Sequence, residues 1–185
     1  MKPSPLQLDW VAYPEASYTT VPGFEGGDVP PADIEVEAEV RYYAGGAPHF
    51  AFLRLCSRDA DAVAYTFKLT VVASFRVDAE AVNVAYPGKS AGGRSVMVAV
   101  NVARLLYSSA REQLAMMTSR APYGSLPLKS VLIEPGDVQI SSPDAEPAQI
   151  LETVFQASED ELHRLKEQRK AEAPKKRRKK ISDAS

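Results

Sequence analysis

Three carboxylates spaced two residues apart, Glu35, Glu37 and Glu39, stand on one side of the segment IEVEAEVR. Acid-base catalysis asks for paired carboxylates, but a solvated sheet face or a docking surface for a partner has the same pattern. The row reads first as a solvated face, second as an acidic partner-docking face and last as a catalytic pair. Gly88-Lys89-Ser90 has the ending of a phosphate-binding loop without the glycine that should lead it, so it reads as a link between strand and helix. Ser108 and Ser109, beside Arg111 and Glu112, have no histidine within helical reach to act as a base. Cys56, His49 and His163 are too few and too scattered for a four-ligand zinc site, and one cysteine closes no internal disulfide. No metal, cofactor or catalytic residue is expected, and the chain reads as a non-enzyme.

The charge is divided along the chain. Between Arg164 and Lys180 stand ten basic and two acidic residues, a local +8, whereas residues 1–163 hold twelve basic and twenty-one acidic, a local -9. An acidic body of one domain, residues 1–163, is expected to carry a basic, disordered tail over 164–185. The run KKRRKK could meet nucleic acid in a salt-dependent way, an anionic lipid or an acidic protein. It lacks the interleaved aromatics of specific recognition. The opening MKPSPLQLDW has no apolar signal-peptide core and no run reaches a membrane-spanning length, so a cytoplasmic protein is expected.

The elements that must position these residues follow from periodicity. Apolar residues alternate with polar ones in LQLDWV, IEVEAEVRYY and AYTFKLTVVASFRV, which predicts strands with one buried face. Leu6, Leu8 and Trp10 share one side of the first. HFAFLRLC is apolar on both sides, as a strand covered on both faces would be. Short turns between the later strands favour antiparallel pairing. Residues 14–32, rich in Pro and Gly but holding Tyr18, Val21 and Phe24, read as a long functional loop. A long helix is expected from near Arg94, with Val96, Val100, Ala103, Tyr107, Ala110, Leu114 and Met117 in one stripe. Val98, Val102, Leu105 and Leu106 are apolar beyond that stripe, so a second surface must cover them, most simply another subunit. The segment SLPLKSVLIEPGDVQI is extended in character, and one terminal helix is expected over residues 143–173.

This order of elements, an α+β fold with a four-stranded antiparallel sheet, a long helix packed on it and a C-terminal helix, resembles the SecB family of protein-export chaperones. The family commonly shows Phe-Pro-Tyr-Ala-Arg-Glu where this chain has Tyr107-Ser108-Ser109-Ala110-Arg111-Glu112. It then shows Ser-Arg-Gly-x-Phe-Pro-x-Leu-x-Leu-x-Pro-Val, aligned without a gap to Ser119-Arg120-Ala121-Pro122-Tyr123-Gly124-Ser125-Leu126-Pro127-Leu128-Lys129-Ser130-Val131. The resemblance is specific over that stretch and compatible over residues 6–135.

The resemblance implies an ATP-independent holdase that binds unfolded or preprotein clients for export. It also implies a homotetramer, a dimer of dimers, with Val96, Val98, Val100, Val102 and Leu106 in the oligomer interface. Tyr18, Phe24, Tyr123, Leu126, Leu128 and Val131 would line the client groove. In export members an acidic sheet face docks the motor ATPase through a glutamate on the fourth strand; the aligned residue here is Lys68, and the basic tail departs from the family's short acidic ones. Glu35, Glu37 and Glu39 would be a substitute face. Some SecB-like proteins instead serve one antitoxin in a toxin-antitoxin-chaperone system, and that role is the alternative.

Overall fold

The computed structural model describes residues 4–24, 33–45, 48–58 and 64–172. Its strands are β1 (Leu6–Thr20), β2 (Ile34–Arg41), β3 (His49–Ser57), β4 (Tyr65–Val77) and β5 (Val138–Ser141); its helices are α1 (Ala79–Ala85), α2 (Ala91–Thr118), α3 (Pro147–Thr153) and α4 (Glu159–Glu172). The fold is α+β, but the sheet has five strands in the order β1-β4-β3-β2-β5. The first four pair antiparallel, and β5 adds to β2 in parallel, with Ala38 beside Val138 and Arg41 beside Ser141. The expected purely antiparallel four-stranded sheet is thereby corrected: the end of the extended segment finds the open edge of β2.

Alternation places the inner face as periodicity predicts. Val40, Tyr42, Leu53, Leu55, Leu69, Val71 and Phe75 are buried under α2. In β1 the alternation breaks twice, between Leu8 and Trp10 and between Ala12 and Glu15. One extra residue flips the facing of all that follow. Trp10 therefore does not share a side with Leu6 and Leu8: it stands on the outer face opposite Ser74, 46% exposed, with its ring 6.2 Å from that of Phe50. The second break carries Pro14, which a sheet edge accepts because no ladder bond is asked of it there. Residues 14–20 are thus strand and not loop, residues 21–24 form a turn, and the remaining 25–32 lie outside the described residues.

α2 is capped by Ser90, whose hydroxyl accepts the Gly93 N–H, and by Glu161 of α4, whose carboxylate accepts the Ala91 N–H. α1 is capped by Asp78 and is not legible as a helix beside the Pro87-Gly88 turn. The single expected terminal helix is two. Gln156 takes a left-handed conformation, the Ala157 N–H turns back to the Leu151 carbonyl, and Phe155 enters the core against Tyr42 with ring centroids 5.2 Å apart. The basic run beyond Glu172 lies outside the described residues. Among the described residues, no helix is long and apolar enough to cross a membrane.

Candidate functional site

Four aromatic rings from three separate segments meet at the C-terminal end of α2. Tyr18 at the end of β1 and Tyr65 at the start of β4 are 5.8 Å apart between centroids, Tyr65 and Tyr123 are 5.8 Å apart, and Tyr123 and Phe24 are 5.0 Å apart. Tyr65 is the hub. Its hydroxyl donates to the Gly124 carbonyl at 2.8 Å and accepts the Tyr123 N–H at 3.0 Å, which fixes the turn after the helix. Gly124 occupies φ +77°, a conformation a side chain would strain. Tyr65 is fully buried while Tyr18, Phe24 and Tyr123 are only half-buried, so the cluster is anchored from below and open from above. Edge-to-face rings of this kind add about 0.5 to 1.5 kcal/mol per pair beyond their buried area.

Three of the six residues expected to line a groove are therefore gathered in one place. The other three are not. Leu126 and Leu128 are buried in the chain's own core at 2% and 6% exposure, and Val131 lies exposed further along, beside the still more exposed Leu132. Tyr65 was missed as a site residue because its inward-facing position in β4 makes it look like any other core residue.

The interface residues need the same correction. Val98, Val100, Val102 and Leu106 are buried within the single chain, and Val96 is half-buried. Residues 125–133 of the same chain lie along another flank of α2, the one carrying Arg104, Tyr107 and Thr118. Leu126, Leu128 and Ile133 join the core there, the Tyr107 hydroxyl donates to the Lys129 carbonyl and the Arg104 guanidinium to the Ile133 carbonyl. Burial pushes the Tyr107 hydroxyl pKa up, keeping it a donor. The large apolar side chains that α2 leaves exposed are Leu105 and Met116.

On the outer sheet face the glutamate row is interleaved with cations. Glu39 takes Nε and Nη2 of Arg41 at 2.7 and 2.8 Å and also the Ser141 hydroxyl, and the hydrogen bonds from Arg41 lower its pKa against the opposing cost of burial. The Arg41 guanidinium also lies 4.4 Å over the Phe52 ring. Glu37 is 3.9 Å from Arg54, and Glu35 accepts from the Cys56 thiol. Burial and the neighbouring Glu35 raise that thiol's pKa, so it is held as a poor nucleophile. Phe50 and Phe52 have no second layer over them among the described residues; Trp10, Tyr43 and Arg41 shield them within the sheet plane. Ser109 is hydrogen-bonded to Tyr13, and among the described residues no three His, Cys, Asp or Glu stand together as metal ligands.

No protein-family model matches the chain. No curated protein matches it either. Among solved structures the chain is similar in fold to Mycobacterium tuberculosis Rv1957, a SecB-like chaperone in complex with a ChAD peptide from the Rv1956 HigA1 antitoxin. Identity is 14%, the TM-score is 0.48, and the match covers 70% of this chain and 88% of that one.

Proposed function

We propose that this protein is an ATP-independent holdase that binds unfolded polypeptide and performs no catalysis. The observation that carries the reading is the half-open aromatic cluster of Tyr18, Phe24 and Tyr123 on the Tyr65 hub, assembled from segments far apart in sequence. Such rings give a large apolar contact area with few rotamers to freeze and accept varied side chains. A client side chain fully buried against them gains about 1.5 to 3 kcal/mol, and less when partly covered. One contact is weak, so useful affinity needs several sites acting on one client, as an oligomer would supply. Folded proteins hide such segments, which makes the selection one of state.

The test is suppression of light scattering by a chemically unfolded protein on dilution, without nucleotide. The wild-type chain is expected to protect, and Phe24→Ser with Tyr123→Ser to protect several-fold less while keeping the wild-type circular dichroism. Full protection by the double variant would remove the cluster from the site.

A second reading, service to one antitoxin instead of general export, is favoured by the outer face. Lys68 stands exposed where export members carry a glutamate, and Glu37 and Glu39 already face Arg54 and Arg41. An interleaved surface of this kind is a poor match for a basic docking partner. Co-expression with the antitoxin of a neighbouring toxin-antitoxin pair decides between the two: selective rescue of that antitoxin supports the dedicated role, and equal protection of unrelated preproteins supports export.

A further inference from the structure

Residues 125–133 lie along α2 as a bound peptide lies on its receptor. They run antiparallel to the helix, with Leu126 at Thr118, Lys129 at Tyr107 and Ile133 at Arg104. At each of these points a helix side chain grips the segment's backbone. Thr118 Oγ1 accepts the Leu126 N–H at 2.8 Å, the Tyr107 hydroxyl donates to the Lys129 carbonyl at 2.5 Å, and Arg104 donates from Nε and Nη2 to the Ile133 carbonyl at 3.2 and 2.8 Å. Leu126, Leu128 and Ile133 face the core, and Pro127 with residues 129–132 faces outward. The segment contains no helix and no extended strand of its own, only an isolated bridge at Leu128.

This mode of attachment asks little of the occupant's sequence. Main-chain groups are read by hydroxyls and a guanidinium, and three apolar side chains are taken by an apolar surface, which is how extended peptides are recognised in general. Beside the segment opens a cleft of about 370 Å³ whose walls include Ser108, Glu112 and Pro127. The segment's ends suit a detachable strap. Gly124 supplies a left-handed turn at one end, and Pro135–Asp137 forms a single 3-10 turn at the other.

We propose that residues 125–133 are an internal occupant of a second peptide-binding surface on α2, displaced by a client segment. The client would be extended, with apolar side chains at the strap's own spacing of two and then five residues, and its carbonyls would take over the donors of Tyr107 and Arg104. Leaving breaks one isolated bridge and no strand or helix, whereas a detached strap would carry its own Leu126, Leu128 and Ile133 into water, so the strap closes when no client is present. The proposal rests on the holdase reading and deepens it.

The experiment joins strap to helix. In a Cys56→Ser background, Glu112→Cys and Pro127→Cys face the same cleft and are linked by a short bis-maleimide. Binding of reduced, carboxymethylated lactalbumin, a permanently unfolded probe, is followed by fluorescence anisotropy in the linked and unlinked full-length chain. The linked form is expected to bind at least tenfold more weakly. Equal affinity overturns the strap and leaves the holdase reading standing; no binding by either form overturns both. Leu128→Ser gives an independent readout: a strap that competes predicts tighter client binding when loosened, and unchanged or weaker binding would mean that Leu128 lines a site instead of blocking one.

Discussion

At the scale of single residues, His49 carries the clearest consequence. It is buried, its Nδ1 accepts the Tyr43 N–H, and its ring stacks edge-on with Tyr42 and Phe75. Burial lowers its pKa to about 4, with Asp144 pulling weakly the other way. The unfolded chain therefore binds a proton near pH 6.5 that the folded chain refuses until about pH 4. Stability from this group is complete above pH 6.5 and is lost as the pH falls through that window, by roughly 2 to 3 kcal/mol. Urea titrations at pH 7.5 and 4.5 should show the loss, and His49→Asn, which can still accept the Tyr43 N–H, should flatten it. The same scale contains what sequence reading misjudged. Glu39 has the right type and spacing for a docking carboxylate, but its charge is spent on an arginine two residues away, because Glu39 and Arg41 stand on the same side of one strand.

At the scale of elements, α2 separates two outcomes that charge substitutions can have. Val102 is fully buried within the chain, so Val102→Asp should destabilise folding by about 3 kcal/mol or more, read as a lowered urea midpoint. Leu105 is 47% exposed, so Leu105→Asp should leave the urea midpoint nearly unchanged. If α2 also meets another copy, that second variant is the one whose mass should fall in light scattering. α4 depends on few contacts. Ser158 and Glu161 form a reciprocal cap, and Glu161 also holds the start of α2. Glu161→Ala should cost about 1 kcal/mol and speed amide exchange at Ser158 and Ala91 together. The S-x-x-E spacing was open to reading in SEDE, and would have divided the terminal helix where the structure does.

At the scale of the whole molecule, the acidic body of residues 1–163 is followed by a basic stretch from Arg164 to Lys180. The aromatic cluster and the strap both belong to the body. A chain ending at Ala173 is therefore expected to suppress aggregation as well as the full-length protein does. If the run KKRRKK instead carries a nucleic-acid role, binding should fall steeply between 50 and 200 mM salt and vanish in the shortened chain. Loss of protection on shortening would bring the tail into the client site and would weaken the assignment to Tyr18, Phe24 and Tyr123.

The sequence alone determined which strand residues face inward in β2 and β4 and the run of α2, but read β3 as covered on both faces where only one is. What it determined follows from local rules, a period of two or 3.6 residues. Tyr18 and Phe24 stand out as aromatic residues in a Pro- and Gly-rich stretch and Tyr123 through the family resemblance, and the structure brings the three rings together around Tyr65. Tertiary structure alone decided what covers the second side of α2, because an apolar stripe states that it must be buried and not by what. Val98, Val102 and Leu106 are buried in the chain's own core, and residues 125–133 take the flank of Arg104, Tyr107 and Thr118, since the turn at Gly124 folds them straight back along the helix. The bulges that turn Trp10 outward and the parallel seat of β5 beside β2 were likewise out of reach. Both depend on which strand edge is free once the others have paired, a property of the assembled sheet and of no segment within it.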